Sequence, residues 1–215
     1  YGVITPWNFP VNIPVEYLAP GIATGNSIVW VPAPSTSLVA VALMEAIAEA
    51  GLPAGVINLV MGEGAVAGDA VVTHPGVVAI GFTGSAATGK RIAERGVGKP
   101  MLLELGGNGP VVVFEDADLD AAAAAAAGGA FFNAGQVCAA TGRVLAHRSV
   151  VDPLCERLVE HAARHVLGDP FHQGTTMGPL NNAKVAAKVR EHVEDAVANL
   201  SLIHISEPTR PERIS

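Results

Sequence analysis

VVAIGFTGSAATGKRIAER, residues 77–95, holds the pattern on which the fold turns. Its first part, 77–82, is apolar and rich in β-branched side chains, which reads as a strand. Its last part, 86–95, has the Ala-rich composition of a helix. The join, Gly81-Phe82-Thr83-Gly84-Ser85, takes a strand directly into a helix. Backbone N–H groups and the helix dipole there face outward, a geometry suited to an anion such as a phosphate. An ordinary strand-to-helix turn is the plainer reading of the same residues. Working outward, short strands are expected over 3–5, 27–31, 56–61, 101–105, 110–114 and 143–146. Helices are expected over 35–50, 65–72, 119–132, 150–166 and 182–200. In the last of these, Val185, Val189, Val193 and Val197 recur every fourth residue. Alternation of this kind predicts an α/β fold with a parallel sheet.

Composition bounds the function. Half of the 215 residues are hydrophobic, 15% are charged, and the formal net charge is −7. That supports a packed core and offers no basic footprint for nucleic acid or an anionic membrane. No apolar run reaches the ~20 residues of a spanning helix. Cys138 and Cys155 are too few for a disulfide framework, so a reducing compartment and a cytoplasmic location are expected. The chain starts within a strand, and SLIHISEPTRPERIS at 201–215 breaks from the Ala/Val-rich style upstream. The expectation is an internal fragment with a non-native tail.

Four short stretches carry candidate chemistry. Phe131-Phe132-Asn133-Ala134-Gly135-Gln136-Val137-Cys138 ends an apolar helix in a glycine turn and delivers a cysteine. It is either a small buried hydrophobe or a thiolate favoured by nearby backbone dipoles. Leu103-Glu104-Leu105-Gly106-Gly107 puts a carboxylate in an apolar strand, which is costly to bury without a partner; an edge strand facing solvent is the alternative. Phe82-Thr83-Gly84-Ser85 is the candidate phosphate turn, with Gly62-Glu63-Gly64 and Gly68 a looser glycine cluster. Pro6-Trp7-Asn8-Phe9-Pro10 fixes an amide that can donate to a developing negative charge. A plain proline-rich turn competes with that reading.

In this order and spacing, the four stretches resemble the aldehyde dehydrogenase superfamily, in its non-phosphorylating, hydrolytic branch. The resemblance implies a Rossmann-like cofactor-binding part over residues 1–107 and part of an α/β catalytic domain over 108–200. It implies Cys138 as nucleophile, Glu104 as general base, and Asn8 with the Cys138 N–H as oxyanion donors. It further implies NAD or NADP as cofactor, held by Ile4, Thr5, Trp7, Pro32, Gly64, Phe82, Thr83, Gly84, Ser85, Leu105 and Gly106. The substrate would be a small aldehyde, oxidised through a thiohemiacetal and a thioester to the acid, in a homo-oligomeric parent. Trp7, Phe132 and Val137 suggest an apolar substrate mouth.

Two departures bear on the cofactor. Val31 stands where the family usually has a lysine for the adenosine ribose, and Pro34 where NAD-preferring members often have a glutamate. The choice between NAD and NADP stays open. A CoA-acylating member and an inactive nucleotide-binding homologue are the alternative functions; the first commonly lacks the base that Glu104 supplies. His161 and His165 have helical i, i+4 spacing without a third ligand, which reads as a solvated helix face rather than a metal site. Cys155 reads as structural, and Glu115-Asp116-Ala117-Asp118 as a helix cap.

Overall fold

The computed structural model describes residues 1–199. The chain divides into two compact units, Tyr1–Gly106 and a second from Gly107 onward. The segment 201–215 and the last residue of the helix expected over 182–200 lie outside the described residues.

In the first unit, strands β1 (Gly2–Ile4), β2 (Ile28–Val31), β3 (Ile57–Leu59), β4 (Ile80–Gly84) and β5 (Met101–Leu105) form a parallel sheet in the order β3-β2-β1-β4-β5. The crossovers carry helices α1 (Asn12–Ala23), α2 (Ser37–Glu49) and α3 (Asp69–Thr73), and α4 (Ala86–Arg95) links β4 to β5. Both faces of the sheet are covered, so its central strands are apolar on both sides. Ile28 and Trp30 join Val3, Ile13, Tyr17 and Leu18 in one cluster. Val29 and Val31 turn to the other, with Val72, Ile80 and Phe82. The chain first steps from β1 towards β3 and then returns to add β4 on β1's free side. The order therefore reverses between β1 and β4, and ligands of such sheets bind beyond the carboxyl ends of the strands at that point.

The second unit has a two-stranded parallel sheet, β6 (Gly109–Val113) with β7 (Thr141–Ala146). Helices α5 (Leu119–Phe131) and α6 (Val151–Ala163) pack together, and α7 (Ala183–Ala198) follows. The alanine run over 121–127 lies within α5, where Ala123, Ala126 and Ala127 are buried. Small side chains let the helix approach its neighbours closely. Asp118 caps α5, its Oδ1 accepting from the N–H groups of Asp120 and Ala121 at 3.0 and 3.1 Å.

The α/β class with a parallel sheet holds, with local corrections. Helix α1 was not expected. It carries Pro14 in its first turn, where an N–H has no acceptor anyway, and Pro20 near its end. Strand β4 runs on through Thr83 and Gly84, so those residues belong to the ladder rather than to the turn. The helix expected over 65–72 is a π-helical turn (Gly64–Gly68) followed by α3, with the Asp69 N–H reaching the Gly64 carbonyl. Helix α6 stops at Ala163, so His161 and His165 are not a helical pair; the His165 ring lies 5.0 Å from that of Phe131.

Candidate active site

The carboxyl ends of the first unit's strands gather most of the implied cofactor residues. Ile4 ends β1, with Thr5 and Trp7 beyond it; Pro32 follows β2; Phe82, Thr83 and Gly84 end β4; Leu105 ends β5, followed by Gly106. Ser85 caps α4, its Oγ accepting from the Thr88 N–H at 3.2 Å and lying 2.9 Å from the Thr88 Oγ1.

Two buried hydrogen bonds fix the threonines that flank the switch point. The Trp30 Nε1 donates to the Thr5 Oγ1 at 2.9 Å, and the Tyr17 hydroxyl pairs with the Thr83 Oγ1 at 2.7 Å. A hydroxyl buried without a partner would be costly, so each bond selects one rotamer. Burial pushes the Tyr17 phenol up; the Thr83 hydrogen bond opposes this and the negative charge of Glu104 adds to it. Neither Tyr17 nor Trp30 was singled out from the sequence, because the contacts that distinguish them are tertiary.

Beside these residues lies a cavity of about 280 Å³, lined by Ile4, Gly64, Gly68, Thr88 and Ile92 among others. Sequence reasoning found Ile4 and Gly64 and named Gly68 in the looser glycine cluster, but missed Thr88 and Ile92. A Cβ built on Gly64 meets nothing within 4 Å, so this backbone edge is open to a ligand. The Ser85-capped helix start offers N–H groups to a phosphate. The residues present fit a dinucleotide cofactor. At the cavity rim, Arg95 holds Asp69 through two bonds of 2.8 and 2.7 Å. That hydrogen-bonded guanidinium lowers the Asp69 carboxyl below its ordinary range. Val31 is buried, and Pro34 opens a short 3₁₀ turn, so neither brings a charge to this edge of the sheet.

The three implied catalytic residues have distinct settings. Asn8 is half-buried in the bends after β1. Glu104 is exposed on β5, the terminal strand, so the burial argument gives way to the edge-strand reading of its position. Leu103 and Leu105 pack on one side of β5, which leaves Glu104 on the other, in register with Thr83. Cys138 belongs to the second unit and is exposed. It occupies a turn closed by the Ala140 N–H on the Val137 carbonyl at 3.2 Å. By contrast, burial pushes the Cys155 thiol up, and Asp152 adds to the effect. Among the described residues, no group of three or more His, Cys, Asp or Glu side chains could hold a metal ion. Among the same residues, no helix is long and apolar enough to cross a membrane.

Residues 1–211 match the aldehyde dehydrogenase family. The chain belongs to that family. It is 42% identical over 212 residues to a vanillin dehydrogenase of Corynebacterium glutamicum, covering 96% of this chain and 44% of that protein. A betaine aldehyde dehydrogenase of Staphylococcus aureus, solved in complex with NAD+, superimposes with a TM-score of 0.89 at 36% identity. The match covers 92% of this chain and 40% of that one. An NADP-dependent enzyme of E. coli gives a TM-score of 0.89 at 40% identity, covering 92% and 42%. The chain thus spans less than half the length of these aldehyde dehydrogenase relatives.

Proposed function

We propose that this chain carries the cofactor-binding part, 1–107, and the nucleophile-bearing part, 108–200, of an enzyme oxidising an aldehyde to a carboxylic acid with NAD or NADP. The observation carrying the proposal is the placement of the family's motif residues at the carboxyl ends of strands around a sheet switch point. An exposed cysteine on a tight turn accompanies them. Ile4, Thr5, Trp7, Pro32, Gly64, Phe82, Thr83, Gly84, Ser85, Leu105 and Gly106 would hold the dinucleotide. When bound, its oxidised nicotinamide supplies the acceptor for the hydride leaving the aldehyde carbon.

Glu104 takes the Cys138 thiol proton and passes it to solvent; the sulfur attacks the carbonyl carbon, a C–S bond forms and the carbonyl π electrons move onto oxygen. The Asn8 amide and the Cys138 N–H donate to that oxygen, and one such donor is worth roughly 2.7–4 kcal/mol in a transition state. Loss of hydride leaves a thioester on Cys138. Glu104 takes a proton from water, which attacks the acyl carbon, and the C–S bond breaks to release acid and thiol.

The test is cofactor reduction by the full-length protein with a panel of aldehydes, beside its Cys138→Ser variant. The variant is expected to lose at least about a thousandfold in kcat, the scale seen when a catalytic nucleophile is removed. A variant that reduced cofactor as fast as the parent would overturn the proposal.

A further inference from the structure

The backbone leading to Cys138 is strained. Beyond α5 it passes through Asn133 at φ 50° and Ala134 at φ 55°, then Gly135 at φ 74°. Three successive left-handed residues suit the glycine but not the alanine, whose Cβ crowds the neighbouring carbonyl. Such a conformation persists only where its surroundings hold it. Packing alone gives weak support here, because a cavity of about 90 Å³ lies beside the loop, lined by Asn133, Ala134, Thr176 and Met177 among others.

Hydrogen bonds hold the loop from one side chain. The Gln136 Nε2 donates to the Asn133 carbonyl at 2.9 Å, which also accepts from the Gln136 backbone N–H at 3.1 Å. At the other end of the same amide, the Gln136 Oε1 accepts from the Asn181 N–H at 2.9 Å. Asn181 directly precedes Asn182, whose Oδ1 caps α7 through the Val185 N–H at 3.0 Å. Gln136 therefore ties the start of the strained turn to the start of a helix. The tie uses a donor and an acceptor at once. A carboxylate in its place would face the Asn133 carbonyl with no proton to give.

We propose that Gln136 is a positioning residue for Cys138. Its amide stabilises the left-handed turn 133–135, and that turn sets where the next turn presents the thiol. The inference rests on the reading of Cys138 as nucleophile.

The test uses the full-length enzyme, its Cys138→Ser variant and four others: Gln136→Ala, Gln136→Glu, Ala134→Gly, and Gln136→Ala combined with Ala134→Gly. Gln136→Ala is expected to lower kcat/KM for the aldehyde at least tenfold and to leave cofactor affinity within twofold of the parent. Gln136→Glu, which keeps the length and the acceptor but not the donor, is expected to behave in the same way. It also serves if the alanine variant fails to fold. Ala134→Gly alone is expected to stay within twofold of the parent. In the Gln136→Ala background it is expected to recover at least threefold, because glycine adopts the left-handed conformation without a clamp. Unchanged kcat/KM in both Gln136 variants would overturn the inference, as would a loss that Ala134→Gly does not recover. Activity retained by Cys138→Ser would instead remove the underlying reading. An inactive Cys138→Ser beside a fully active Gln136→Ala removes the clamp alone.

Discussion

The two units share one alternation of strands and helices but differ in how they bury it. In the first, Trp30, Leu18, Ile28 and Ile80 are fully buried, and two clusters cover opposite faces of five strands. In the second, the core cluster is Val113, Ala123, Val150 and Leu154 beside a sheet of two strands. There Val112, Leu145 and Val159 are all more than half exposed. Pattern alone sets the local structure of both; side-chain size and strand number set how much each holds itself together. The first unit thus presents a cradle fixed by packing and buried hydroxyls. The second presents its cysteine from a turn held by hydrogen bonds.

Truncating the largest side chain of each core breaks or sharpens that contrast most strongly. Trp30→Ala removes a fully buried indole and the donor to Thr5. It is expected to cost about 3–5 kcal/mol, the range for an aromatic truncated in a core. Leu154→Ala in the second unit is expected near the lower end of about 2–5 kcal/mol for leucine, since its alanine-rich surroundings can close in. Denaturant unfolding of both variants measures the difference. A larger loss at Leu154 would reverse the comparison.

The same contrast governs how much the sequence disclosed. Strand β2 and the first part of β4 were legible because a sheet covered on both faces demands apolar runs, which Ile28–Val31 and the stretch 77–82 supply. Helix α1 was not, because Pro14 and Pro20 are breakers by type. Only the structure shows Pro14 where no N–H is needed, and the Pro20 carbonyl taken up by the Thr24 N–H and hydroxyl. The candidate site was legible as motifs at strand ends. The side chains that hold those motifs were not: Trp30 reaches Thr5 across 25 residues, Gln136 meets Asn181 across 45, and Tyr17 meets Thr83 across 66. No local pattern marks a bond whose partner is fixed by topology.

A mid-sized effect is expected at the entry to α5. Asp118→Ala removes the acceptor for two backbone N–H groups and is expected to cost about 1 kcal/mol, the usual loss of a helix cap. In the first unit, Ser85 plays the matching part at α4 with one N–H. If the second unit depends on hydrogen bonds where the first depends on packing, Asp118→Ala should raise amide exchange throughout α5 more than Ser85→Ala does in α4. Equal exchange in the two helices would blunt the distinction.

The smallest effects belong to two exposed ion pairs, Arg95–Asp69 in the first unit and Arg157–Asp120 in the second. Arg95 meets Asp69 through two bonds, whereas Arg157 gives Asp120 a single one of 2.6 Å and spends its Nη1 on the Pro153 carbonyl. Two-point contact is the stronger geometry. The Arg95 guanidinium lowers the Asp69 carboxyl through that hydrogen bond and through its charge. A carboxyl lowered by folding contributes stability that is present above its unfolded pKa and lost as pH falls through the folded one. Arg95→Leu is therefore expected to let Asp69 titrate higher and to destabilise slightly at neutral pH. The difference should vanish once the carboxyl is protonated in both states, and salt should shrink it, because both partners reach solvent. NMR titration of the Asp69 carboxyl in the parent and in Arg95→Leu reads the shift directly. An unmoved midpoint would show that the lowered carboxyl owes nothing to the guanidinium beside it.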